Sequence, residues 1–238
     1  SCEFPKKGTE SVGVARQYCG ARGKVENCQS GVFDGYASRK GYGLVTSRLY
    51  LPASWFAPEQ AERRRATRVP EALGFQTKPQ IARDLLARVA QTERFPATWL
   101  GCDAVFGADW AFLEAVPPGT YYFAGIRSNT LVFRTRPRVQ VPPYRGRGRP
   151  PTKPRVTQGR AQTVAALAAS RHCRWTPVVL AEGAKGPLRA EVACRRVYPA
   201  QGGLPRAAPV WLFLRRMEDG QIKYAFSNAP ANTPLAEL

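Results

Sequence analysis

Two acids near the middle of the chain are the first residues whose type and setting could do chemistry. Asp103 follows the apolar run Trp99–Cys102, and Asp109 closes the same segment, DAVFGAD. A carboxylate just past the C-terminal end of a core strand stands where α/β sheets place functional groups. Carboxylates so placed can hold Mg²⁺ for phosphoryl transfer, the ions activating the attacking oxygen and stabilising the leaving one. Taken alone, a single aspartate after a strand is more often a loop-capping residue. Spacing alone leaves both readings open.

A second set of residues points to a polyanion. The segment PPYRGRGRPPTKPR, Pro142–Arg155, is built from Arg, Pro and Gly. Its core, Arg147-Gly148-Arg149-Pro150, has the make-up of a minor-groove hook. Gly148 removes the side chain between two arginines, and flanking prolines hold the strand extended, so both guanidiniums can lie along a narrow A·T groove. Arg145, Lys153 and Arg155 would then add phosphate contacts outside it. The alternative is a basic linker that touches phosphates without preference. Both readings place duplex DNA against this arm.

Other chemistries find little support. Cys2, Cys19, Cys28, Cys102, Cys173 and Cys194 include no CxxC pair. The single histidine, His172, has no second ligand pair at zinc-finger spacing. A Ser-His-Asp or Cys-His mechanism would rest on His172 alone. The thiols read as small core residues or free surface groups.

The elements that must position these groups follow from the hydrophobic pattern. In a chain of 238 residues, 44% are hydrophobic and 22% charged, enough for a sizeable core. Ser11–Tyr18 and Cys28–Tyr36 flank a Gly-rich turn at Gly20–Gly23 and predict a hairpin. Leu44–Leu51 is a third extended stretch, and the charged Pro58–Arg68 segment predicts a short exposed helix or a loop. Thr77-Lys78-Pro79 is a helix start, followed by an apolar stripe of Ile81, Leu85 and Val89. Thr98–Cys102 and Tyr121–Ile126 predict strands, with helical turns over Trp110–Val116. After Arg134 the composition changes to Arg, Pro and Gly. Beyond it come an Ala-rich helix near Ala161–Ser170 and four strand-like runs. The last two flank Asp219-Gly220, a two-residue hairpin signal. The pattern predicts an α/β fold with a mixed sheet.

Charge and hydropathy bound the partners. Thirty-six Lys and Arg face seventeen Asp and Glu, a formal net charge of +19. No acid lies between Glu114 and Glu182, where twelve Arg or Lys occur. Such an excess favours nucleic acid, because each neutralised phosphate releases condensed counterions. No apolar run approaches the ~20 residues of a membrane span, and no signal-peptide pattern opens the chain. The pattern predicts a soluble, cytoplasmic protein. The only methionine is Met217, so a processed product or an internal piece is expected.

Five blocks carry a resemblance. FPKKGTESVGVARQYCGARGKVENCQSGVF (Phe4–Phe33), YGLVTSRLYLPASW (Tyr42–Trp55), GFQTKP (Gly74–Pro79), CDAVFG (Cys102–Gly107) and YAFSNAP (Tyr224–Pro230) occur in the order seen in DDE transposases of bacterial insertion sequences. By that resemblance the fold is an RNase H-like mixed sheet, and Asp103 takes the place of the second catalytic acid and metal ligand. Residues 1–133 would be the partial core, 134–160 the DNA-contacting arm, and 161–238 a β-rich insertion subdomain. The resemblance also implies Mg²⁺-dependent cleavage and strand transfer in the complete protein, transposon-end and target DNA as partners, and self-association. The first acid of the family falls just before Ser1, with Glu3 a possible stand-in where the family has glycine. The third acid would follow Leu238, since Glu237 lacks the surrounding motif. An isolated chain would then be inactive. It would also be marginally folded, with Ser11–Tyr18 and Thr98–Cys102 exposing strand edges where a central strand belongs. A non-catalytic basic DNA-binding protein is the alternative, and a structural RNA-binding protein a third reading.

Overall fold

The computed structural model describes residues 1–144, 146, 148–183 and 186–234. Its elements begin with β1 (Cys2–Pro5), β2 (Ala15–Cys19), β3 (Lys24–Ser38), β4 (Gly41–Tyr50), α1 (Ala61–Ala66) and α2 (Lys78–Gln91). Next come β5 (Trp99–Cys102), the short helices α3 (Ala104–Gly107) and α4 (Trp110–Glu114), then β6 (Tyr121–Ile126) and β7 (Leu131–Phe133). The remainder holds β8 (Arg138–Gln140), β9 (Arg155–Gln158), β10 (Gln162–Thr163), α5 (Val164–Ala168), β11 (Thr176–Gly183) and β12 (Gly186–Gln201). β13 (Leu204–Pro205), β14 (Val210–Met217) and β15 (Ile222–Ser227) complete it. The class is mixed α/β, as the pattern predicts. Two compact units form, one from Ser1–Thr98 with Asp109–Gly119, the other from Trp99–Ala108 with Thr120–Leu238.

In the first unit β3 is the axis of a four-stranded antiparallel sheet. β1 pairs with one side of it, while β2 and β4 follow one another along the other. Alternation along β3 sends Cys28, Ser30 and Val32 to one buried face. α2 packs on β3 and β4, and its Ile81 and Leu85, four residues apart on one stripe, are fully buried. Each such side chain contributes roughly 1.5–3 kcal/mol by leaving water. The helix starts where its sequence demands. Thr77 Oγ1 accepts from Gln80 N at 3.3 Å and Gln80 Oε1 accepts from Thr77 N at 2.8 Å, a reciprocal capping box. A second cluster gathers Leu51, Trp55 and Val69. Trp55 Nε1 donates to Val14 O at 2.9 Å, and the Arg63 guanidinium lies 4.2 Å from the Trp55 ring centroid.

Two local expectations change here. Ser11–Tyr18 is not one strand, because Val14 N donates to Ser11 O and Gly13 takes φ +76°. A Cβ on Gly13 would stand 2.9 Å from Tyr50 O, so this turn requires glycine, and the strand begins only at Ala15. Cys2–Pro5, too short to show a pattern, is a strand held in register by β3.

The second unit is a nine-stranded sheet with the order β10-β7-β12-β14-β15-β6-β5; β11 and β13 pair with the long β12. Within it β5 and β6 are parallel and the other pairs antiparallel. Leu212, Leu214, Phe226, Val197 and Val132 are buried, as are Val164 and Leu167 of α5. α5 is shorter than the Ala-rich stretch suggests, since Gln162 and Thr163 pair with β7 and Thr163 Oγ1 caps the helix at Ala166 N. The Asp219-Gly220 hairpin has a three-residue loop rather than the expected two. Met217 N donates to Gln221 O, Gly220 N donates to Met217 O, and Gly220 sits at φ +80°. No helix among the described residues is long and apolar enough to cross a membrane.

Candidate active site and nucleic-acid interface

Asp103 stands at the C-terminal end of β5, exposed, where the parallel β5–β6 pair opens into α3. It is the N-cap of that helix: Oδ1 accepts from Val105 N at 2.8 Å, and its backbone carbonyl accepts from Gly107 N at 2.9 Å. The capping and functional readings therefore describe one geometry, since the cap fixes the backbone from which the carboxylate projects. Two glycines make the seat. A Cβ on Gly107 would stand 2.0 Å from Gly125 O, and one on Gly125 would meet Ala104 N at 3.2 Å and Asp103 C at 3.3 Å. α3 lies so close to β6 that Gly107 admits no side chain and Gly125 leaves little room for one. Sequence reading passed over both residues. The one signal for Gly107 is its place in DAVFG, and Gly125 gives none without the strand pairing.

The neighbouring thiol is not reactive. Burial, with the Asp103 charge beside it, pushes Cys102 up to about 12, so it stays protonated at neutral pH. Cys102 and Ala104 border a groove of about 900 Å³ on the sheet face. Its walls are mainly apolar, with Phe123, Val178, Phe213 and Ile222 among them, and Arg215 and Lys223 are its cations.

The other candidate acids have structural partners of their own in the first unit. Asp109 belongs to the first unit and caps α4, accepting from Phe112 N at 2.9 Å. Glu3 lies in β1 with its side chain only 10% exposed, 3.0 Å from Lys78 Nζ at the start of α2. Ser30 Oγ and Ser1 Oγ donate to the same carboxylate at 3.2 Å, and Gly20 N donates to its other oxygen at 3.3 Å. Burial pushes this carboxyl up, but the Lys78 hydrogen bond and charge, with Ser30 and Ser1, outweigh it and hold it below the usual range. Glu3 is an ion-paired strut between β1 and α2. Glu237 lies outside the described residues. Among those described, no group of three or more His, Cys, Asp or Glu side chains gathers to hold a metal.

The basic arm is anchored by an antiparallel ribbon, β8 against β9, with Arg138 opposite Gln158 and Gln140 opposite Arg155. Arg155 is thus a strand residue at the foot of the arm, and Arg149 and Lys153 are exposed in the segment before it. Arg145 and Arg147 lie outside the described residues. Gly146 and Gly148 take φ +78° and +72°, and each is a bend. Tyr144 Oη donates to Gly148 O at 3.1 Å.

The YAFSNAP block proves to be an anchor. Asn228 Oδ1 accepts from Tyr122 N at 2.8 Å, tying the segment to β6 two residues before Ala124. Arg196 donates to Pro209 O at 2.7 Å and Ala229 O at 3.2 Å, and Trp211 Nε1 donates to Pro230 O at 3.0 Å.

A family model described as DDE superfamily endonuclease matches residues 2–187. No match arises among the curated proteins or among the solved structures.

Proposed function

Because the chain belongs to the DDE superfamily endonucleases, we propose that it is a transposase domain of a bacterial insertion sequence, working on duplex DNA. In this reading Asp103 is the second acid of an RNase H-like catalytic site. The observation that supports it is the placement of Asp103: an exposed carboxylate at the mouth of a parallel strand pair, within the matched residues, on a backbone locked by its own cap. Residues 1–133 correspond to the core and 134–160 to the arm. Residues 161–238 correspond to the β-rich insertion, whose β14 and β15 extend the sheet of β6 and β5.

Asp103 alone does not fit a two-ion Mg²⁺ site, which needs several carboxylates to hold both cations. Among the described residues, what the chain supplies to this reading is the Asp103 ligand position, beside a strongly basic composition. Self-association and a nucleoid setting accompany the transposase reading, because cutting and joining two transposon ends brings two active sites together on DNA.

The arm is the part of this proposal most open to test. Arg147→Ala with Arg149→Ala is expected to weaken binding to an A·T-rich duplex about tenfold, and a G·C-rich duplex clearly less. Fluorescence anisotropy on the two duplexes at one salt concentration measures the difference. Equal losses on both would reduce Arg145, Arg147, Arg149, Lys153 and Arg155 to phosphate contacts on a basic linker.

A further inference from the structure

In the first unit, the segment after β1, strand β2 and the turn that follows it enclose a groove of about 560 Å³. Five cations line it, Lys6, Lys7, Arg16, Arg22 and Lys24, against one acid, Glu26. All five are exposed. The walls are held by hydrogen bonds to backbone groups rather than by the charges. Asn27 Nδ2 donates to Lys6 O at 3.0 Å and Gly8 O at 2.8 Å, and Lys6 N donates to Asn27 O at 2.9 Å. The two-lysine segment is thereby fastened to β3. On the other side Arg22 rides a tight turn, its N–H donating to Cys19 O at 3.0 Å, with Gly23 at φ +65°. Among the described residues, ion pairing in the groove is limited to Lys24 with Glu26 at 2.9 Å, where the lysine is 64% exposed and the pair weak.

A framework that gathers five like charges into a concave surface raises the local potential and concentrates anions there. The heads are long, flexible lysines and arginines without a fixed fork, which suits a row of phosphates better than one small anion. The lining has Val25 and Pro5 but no aromatic side chain, so it lacks the stacking platform by which proteins hold unpaired bases.

We propose that this groove seats the phosphate backbone of one strand of duplex DNA, as a contact separate from the basic arm. It rests on the transposase reading for the nature of the partner. The test uses the whole chain, a mixed-sequence 30-bp duplex and a salt titration. Arg16→Gln, Arg22→Gln and Lys24→Gln together are expected to flatten the slope of log affinity against log salt by about two to three units, since each lost phosphate contact removes about 0.9. Arg16→Lys with Arg22→Lys is expected to keep the wild-type slope, and Glu26→Gln to bind more tightly than wild type. Thermal melting checks that the triple variant is folded; if it is not, Glu26→Gln decides, and unchanged binding there overturns the proposal. A folded triple variant with wild-type slope and affinity overturns the groove while leaving the DNA reading intact. A wild-type chain that binds no duplex at 50 mM salt overturns both. Preferential binding of single-stranded RNA, lost in the triple variant, would give the groove to another partner and overturn it as stated.

Discussion

Gly107→Ala is expected to lower stability by about 3 kcal/mol and to dislodge the turn that carries Asp103. The reason is steric and admits little relief. The added methyl would stand 2.0 Å from Gly125 O and 3.0 Å from Gly125 C, and both are backbone atoms of β6. β6 is hydrogen-bonded on both sides, to β5 and to β15, so it cannot withdraw without breaking a ladder. α3 must move instead, and the Gly107 N bond to Asp103 O breaks with it. Gly101 in β5 is the control, since a Cβ there meets nothing within 4 Å. Denaturant melts of the two variants decide the matter. A Gly107→Ala midpoint equal to that of Gly101→Ala would show that the helix does not pack on β6 as described.

Glu3→Gln is expected to cost about 3 kcal/mol at neutral pH, because it leaves Lys78 largely buried with no countercharge. Glu3 and Lys78 side chains are 10% and 17% exposed, so solvent screens the pair weakly. The pH dependence has a definite sign. The folded carboxyl is held below its ordinary value of 4.5, so its stabilisation is fully present above that value and is lost as pH falls through the lower, folded one. Wild-type stability should therefore fall more steeply than that of Glu3→Gln in mildly acid solution, and the two should converge. Asp34 works in the opposite direction. Burial raises its carboxyl, and its Oδ2 is a buried atom without a partner among the described residues. The difference between the two proteins, rather than either curve alone, isolates Glu3. Parallel melting curves from pH 7 to pH 3 would remove Glu3 as an ion-paired strut.

What was legible in the sequence was local. The start of α2 is written in Thr77, Pro79 and Gln80, because a capping box uses groups within one turn. β5 and Asp103 are visible because an apolar run ending in a carboxylate is a signature of only a few residues. Non-local facts were out of reach. Nothing in DAVFGAD tells that Asp103 and Asp109 enter different compact units, and six residues of separation suggest the contrary. The Gly107–Gly125 approach joins positions eighteen apart through a parallel strand pair that no periodicity reports. β1 escaped notice because four residues ending in proline show no alternation, and its register comes from β3. Glu3 looked like a possible catalytic substitute for want of its partner, Lys78, which is far away in sequence and adjacent in the fold.

The central claim, that this chain works on duplex DNA, is tested most directly by its affinity for a mixed-sequence duplex at two salt concentrations. The net charge of +19, the arm and the first-unit groove together supply more than six phosphate contacts' worth of cations. Binding should therefore be tight at 50 mM salt and fall by about a thousandfold or more at 200 mM. No binding at 50 mM, or an affinity indifferent to salt, would contradict the account.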